Sequence, residues 1–140
     1  MMTYLYAPEH AIPKLGTVHR RILDLLSRDK ATTRKEIIDI EDNFRGIFQA
    51  LENGKWGYWC IERIYEDGST KATHFRIDRR HFESQAMDAL VRAERRVALR
   101  KDSLRQAYRE RARVKRATEK YQQALNFLEE VKSAQQKPDA

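Results

Sequence analysis

Residues 56–77 read WGYWCIERIYEDGSTKATHFRI, and this stretch decides the fold. Two runs, Trp56 to Tyr65 and Thr70 to Ile77, are rich in aromatic and β-branched residues, the types that suit a pleated, half-buried surface. Between them Glu66-Asp67-Gly68-Ser69 carries an Asp-Gly pair at its centre, which supplies the positive φ that tight hairpin turns require. The reading is a β-hairpin. With Asp67-Gly68 as a two-residue turn, Tyr58, Cys60, Ile64, Phe75 and Ile77 fall on one face and Trp59, Ile61, Arg63, Tyr65, His74 and Arg76 on the other; a bulged turn would alter the pairing. The first face is the expected core, with Cys60 as a small buried hydrophobe. The second mixes aromatics with cations. It suits either a grip on a phosphate backbone or minor groove, or packing beneath the N-terminal arm, whose Tyr4, Leu5, Tyr6 and Ile12 need a home.

Upstream of the hairpin the pattern is helical. Thr17 can cap a helix whose apolar set is Val18, Ile22, Leu25 and Leu26, running to about Arg28. Thr33-Arg34-Lys35-Glu36 has the form of a capping box, so a second short helix starts near Arg34. After Asp42-Asn43, Phe44, Ile47, Phe48 and Leu51 recur at helical spacing, and Asn53-Gly54 is the expected left-handed stop of a third helix.

Downstream, residues 79 to 133 contain neither Gly nor Pro and are built from Ala, Arg, Glu, Lys, Leu and Gln, strong helix formers. A heptad frame runs through Ala86, Ala93, Arg100, Ala107, Val114, Tyr121 and Leu128, alternating with Leu90, Val97, Leu104, Arg111, Thr118 and Leu125. A rod on the order of 80 Å, at about 1.5 Å per residue, needs a partner for that stripe. A helical hairpin broken near Lys101-Asp102 is the alternative, because Ser103-Leu104-Arg105-Gln106 also has capping-box form. The expected fold is therefore mainly α with a small β-hairpin. Its parts are an arm (1–16), a compact module (17–78), a long basic helix or helical hairpin (79–134) and a flexible tail (135–140).

Twenty-eight Lys and Arg face 21 Asp and Glu in 140 residues, a formal charge of +7. The imbalance is local. Residues 1–91 hold 14 cations and 14 carboxylates, whereas residues 92–120 hold 12 against 4. In the basic stretch Arg92, Arg96 and Arg100 are spaced by four, and Lys101, Arg105, Arg109 and Arg113 form a second ridge extended by Arg116 and Lys120. Like charges at that spacing cost roughly 0.2–0.5 kcal/mol per pair, a cost that a polyanion along the ridge would remove.

A single cysteine excludes an internal disulfide and a Cys-based metal cage and fits a reducing cytosol. No signal-peptide core and no run near the roughly 20 apolar residues of a membrane span is present, so a cytoplasmic protein without membrane contact is expected. His10, His19, His74 and His81 lack zinc-site spacing, and no nucleophile-base pair or phosphate-binding glycine loop is evident. Neither enzymatic activity nor a cofactor is expected.

Helix, short strand-like Ala31-Thr32-Thr33, helix, helix and hairpin is the order of the winged helix-turn-helix superfamily. Residues 17–78 resemble it through RILDLLSR, TTRKEI, IFQALENGKW and IYEDGSTKATHFRI. The module and its helical tail are similar to small bacterial or phage DNA-binding regulators. The resemblance implies a third helix that enters the major groove, where Arg45 and Gln49, one turn apart, would read base edges. This helix departs from the pattern in being poor in cations and in carrying Gly46.

Together these readings place nucleic-acid contacts at Arg45, Gln49, Arg63, Lys71, Arg76, Arg96, Arg100, Lys101, Arg105, Arg109, Arg113 and Arg116. A homodimer seam is placed at Leu90, Val97, Leu104, Val114, Tyr121, Leu125 and Leu128. DNA is the expected partner of a transcriptional or replication accessory regulator, and RNA could use the same residues. An acidic protein surface is a further candidate partner of the basic ridge. The competing reading is a phage-like adaptor or inhibitor whose nearly neutral module, with its acid-flanked third helix, docks on a partner protein.

Overall fold

Two threonines open the first two helices in the computed structural model, which describes residues 4–136. Thr17 Oγ1 accepts the Arg20 amide at 3.2 Å and starts α1 (Val18–Leu26). Thr33 Oγ1 accepts the Glu36 amide at 3.2 Å while the Glu36 carboxylate takes the Thr33 amide at 3.1 Å, so the expected capping box opens α2 (Arg34–Ile38). α3 (Phe44–Glu52) begins after Asn43, whose side chain makes no capping bond. Asn53 is extended rather than left-handed, and its side chain caps a 3-10 turn at Gly54–Trp56. The left-handed step falls on Gly57, at φ 76°.

Three short strands, β1 (Thr32–Thr33), β2 (Ile61–Ile64) and β3 (His74–Ile77), form an antiparallel sheet in the order β1-β3-β2. The hairpin register differs from the two-residue-turn pairing. Arg63 faces Phe75 and Ile61 faces Ile77, while Glu62 faces Arg76 and Ile64 faces His74. Asp67-Gly68 does turn, with the Ser69 amide on the Glu66 carbonyl and Gly68 at φ 78°, but it is the tip of a loop over residues 65–73. Odd-numbered residues of both strands therefore share the inner face. Trp59 and Ile61 belong to the core, Phe75 and Ile77 do as expected, and Tyr58, Cys60 and Ile64 are only half-buried. His74 and Arg76 move to the face opposite Arg63.

The core collects Ile22, Leu23 and Leu26 of α1, Ile37 of α2, Phe44, Phe48 and Leu51 of α3, and the inner face of the sheet. The N-terminal arm takes up Trp59. Its indole Nε1 donates to the Ala11 carbonyl at 2.8 Å, and Tyr4 packs edge-on against its ring. The Tyr4 hydroxyl in turn donates to Asp24.

Residues 79–84 are not part of the long helix. Asp78 caps a 3-10 turn, Arg79–Phe82, that swings His81 inward, and α4 then runs unbroken from Gln85 to Gln136. No break occurs near Lys101-Asp102: Asp102 and Ser103 are only modest helix formers, but neither Gly nor Pro interrupts the run and no backbone bond is removed. The helix continues through Gln135 and Gln136, where a tail was expected; residues 137–140 of that tail lie outside the described residues. The chain divides into two compact units, Met1–Leu99 and Arg100–Ala140, with the first turns of α4 in the first. No described helix is long and apolar enough to cross a membrane.

A buried polar cluster holds those first turns. His81 Nε2 accepts the Cys60 amide at 3.0 Å, which leaves the ring proton on Nδ1 to reach Asp88 Oδ1 at 2.8 Å. Asp88 also accepts Arg92 Nε at 3.0 Å through both oxygens. Arg92 donates to the Gly57 carbonyl at 2.8 Å and lies 4.0 Å over the Trp59 ring. Arg92 is thus buried, not a member of the outward ridge.

Removing one partner of a buried ion pair leaves the other charge stranded, so Asp88→Ala should cost about 3–5 kcal/mol, read as a lower urea midpoint. Burial lowers the His81 pKa below its ordinary 6.5, against the opposing pull of Asp88. The unfolded state then takes the proton first as pH falls. This contribution is complete above pH 6.5 and is lost as pH falls through the lower folded value, so the wild-type urea midpoint should drop between pH 7 and 5. The drop should be shallower in His81→Gln.

Candidate nucleic-acid interface

Within the unit Met1–Leu99, α3, the loop between β2 and β3 and the early turns of α4 enclose a cleft of about 570 Å³. Five cations line it, Arg34, Arg45, Arg63, Lys71 and Arg95, against one carboxylate, Glu52. That carboxylate is not free. Glu52 is buried, takes Arg63 through both guanidinium nitrogens at 2.7 and 3.3 Å, and is met by Arg95 at 3.3 Å. One buried anion therefore holds two guanidinium groups in place at the cleft wall. Arg63 is stabilised in its charged form chiefly by that hydrogen bond.

Aromatic rings form the floor. Phe44, Phe48 and Phe75 stack mutually at 5.0 to 6.0 Å between centroids. Arg34 lies 5.4 Å from both the Phe44 and Phe75 rings and donates to the Ala72 carbonyl at 2.8 Å, while Arg63 lies 5.9 Å from Phe48. These cations rest on apolar surface with their charge toward the cleft, a favourable arrangement for a guanidinium.

Of the residues expected to touch nucleic acid, Arg45, Gln49, Arg63 and Lys71 come together here. Arg76 does not; it is on the outer face of the sheet and its charge is taken up by Glu62 at 2.6 Å. His74 is beside it, bonded to Thr73 at 2.9 Å. Arg96 stands apart, 5.8 Å over the Tyr58 ring, in a second cavity of about 600 Å³ beside the N-terminal arm. Arg34 and Arg95 were missed. For Arg95 a signal existed: Asp88, Val91, Arg92, Arg95 and Leu99 follow helical spacing, and this is the face α4 buries.

In the second unit Arg100, Lys101, Arg105, Arg109, Arg113 and Arg116 are all exposed. Among the described residues no ion pair involves any residue beyond Arg95, and Glu94 is engaged by Arg80 at 3.2 Å. Arg105, Arg109 and Arg113 gather along one groove of the helix surface with Asp102, Gln106 and Glu110. The seven seam residues, from Leu90 to Leu128, are between 37 and 67% exposed. Leu90 and Val97, in the first unit, lie on the side of α4 away from the buried Val91 and Arg92.

Among the described residues no three His, Cys, Asp or Glu converge to hold a metal ion. Cys60 is half-buried and burial pushes its thiol up, which makes it a poor nucleophile. Searches against family models, curated proteins and solved structures find no match to this chain.

The clamp separates structural from surface cations. Glu52→Ala should destabilise by about 1–3 kcal/mol, because Arg63 and Arg95 lose a hydrogen-bonded counter-ion but are themselves partly open to water. Arg45→Ala and Lys71→Ala, both at exposed positions, should stay within about 0.5 kcal/mol of wild type. Urea titrations of the three variants check this.

Proposed function

We propose that the chain is a winged-helix nucleic-acid-binding protein, a DNA-directed transcriptional or replication accessory regulator that acts as a homodimer through the exposed stripe of α4. The convergence of Arg45, Gln49, Arg63 and Lys71 with Arg34 and Arg95 on one cleft carries this reading. The element order helix, strand, helix, helix, strand, strand and the sheet order β1-β3-β2 support it.

The neutrality of residues 1–91 is compatible with such a role. Much of it is internal pairing, Arg20 with Asp24, Arg28 with Glu36, Arg76 with Glu62 and Arg80 with Asp78. Arg45 and Lys71 are in none of the ion pairs found among the described residues. What remains on the surface is a cleft of positive sign and, on α4, a ridge that Asp102 and Glu110 compensate only in part. Both suit phosphate groups, which fix register without reading sequence.

With about six phosphates engaged, log affinity against log salt should have a slope near −5. Reversing Arg105, Arg109 and Arg113 to Glu should flatten the slope and weaken binding. Anisotropy titrations with labelled DNA at several salt concentrations measure both quantities. An unchanged slope removes the ridge from the contact. Absence of binding at low salt to DNA and RNA alike removes the reading and leaves docking of the module on a partner protein.

A further inference from the structure

We propose that the cleft between α3, the 65–73 loop and α4 receives a single-stranded nucleic-acid segment, with a base stacked on Tyr65, rather than the edge of a duplex groove. This rests on the nucleic-acid reading above and specifies what its head binds.

The first argument is shape. A helix with its side chains is about 10–12 Å across and the major groove about 12 Å wide, so a helix reads that groove only as the outermost element of its face. Arg45 and Gln49 instead line a concavity, walled by Tyr65 and Lys71 on the loop and by Arg95 and Leu99 on α4. Its volume, about 570 Å³, falls in the roughly 300–1,000 Å³ range of small organic ligand sites. One unstacked nucleotide is a natural occupant.

The second argument is the chemistry of the lining. Binding a single strand takes an exposed aromatic face beside a cationic track, because an unpaired base offers its π-face and its phosphates lie alongside. The three phenylalanines cannot serve, being buried with Arg34 and Arg63 over their rings. Tyr65 is 56% exposed in the same cleft. Around it stand Lys71, Arg45 and the Glu52-clamped pair Arg63 and Arg95, and Arg95 Nε has no hydrogen-bond acceptor. The Gln49 amide can donate to and accept from a base edge that pairing would otherwise hide.

The test uses the full chain and three fluorescein-labelled probes in the same low-salt buffer: a 15-mer oligothymidylate, a 15-mer oligouridylate and a DNA hairpin whose fully paired stem is closed by a hexaethylene glycol linker, so that it holds no unpaired base. At least one single strand should bind more tightly than the hairpin, and the two single-stranded arms say which sugar is preferred. Tyr65→Ala should lower single-strand affinity about tenfold and leave hairpin affinity unchanged, while Tyr65→Phe should keep the wild-type value. Circular dichroism of both variants checks that this exposed position leaves the fold intact. Tighter binding of the hairpin, or a Tyr65→Ala variant that binds single strands as wild type does, overturns the proposal while the nucleic-acid reading stands. If no probe binds, both fail together.

Discussion

The Asp88 carboxylate is the constraint on which the rest depends. It accepts a proton-bearing nitrogen from His81 and a guanidinium from Arg92 inside the head, and charged groups tolerate burial only where they are paired and hydrogen-bonded. Meeting that condition sets the rotation of α4 about its own axis. Asp88, Val91 and Arg92 must face inward, so Leu90 and Val97 face out and Arg95 is carried to Glu52. The same rotation builds one wall of the cleft.

The hairpin register makes the second decision. Shifting a strand by one residue exchanges its faces, and the long 65–73 loop produces such an exchange relative to a two-residue turn. Arg63 then joins the inner face next to Glu52, while Arg76 goes outside to Glu62. The cations of one strand pair thus acquire different roles: one is held at the cleft and the other is neutralised on the far side.

Much of this architecture was legible because it rests on local physics. Thr17 and Thr33 announce helix starts through caps that involve residues three positions away, and the uninterrupted run of helix formers after residue 84 makes α4 continuous. The candidate site was half legible. Arg45, Gln49, Arg63 and Lys71 stood out as polar side chains on recognisable elements. Arg34 and Arg95 did not, because an arginine on a short helix or in a basic run resembles any solvated residue until its neighbours in space are known. Arg92 was misread for the same reason, since spacing by four says which residues align and not which row faces water.

By itself, then, the order of residues determined the succession of elements, the apolar sets that form the core and the concentration of cations after residue 91, all of which depend on neighbours a few positions apart. The tertiary structure alone decided which arginines are buried, which strand face is inner and which cations meet across the cleft. Those outcomes depend on pairing Asp88 with His81 and Arg92, and Glu52 with Arg63 and Arg95. Such pairs form wherever the packed chain brings a carboxylate and its donors out of water together, and, for Glu52 in particular, no local spacing encodes that meeting.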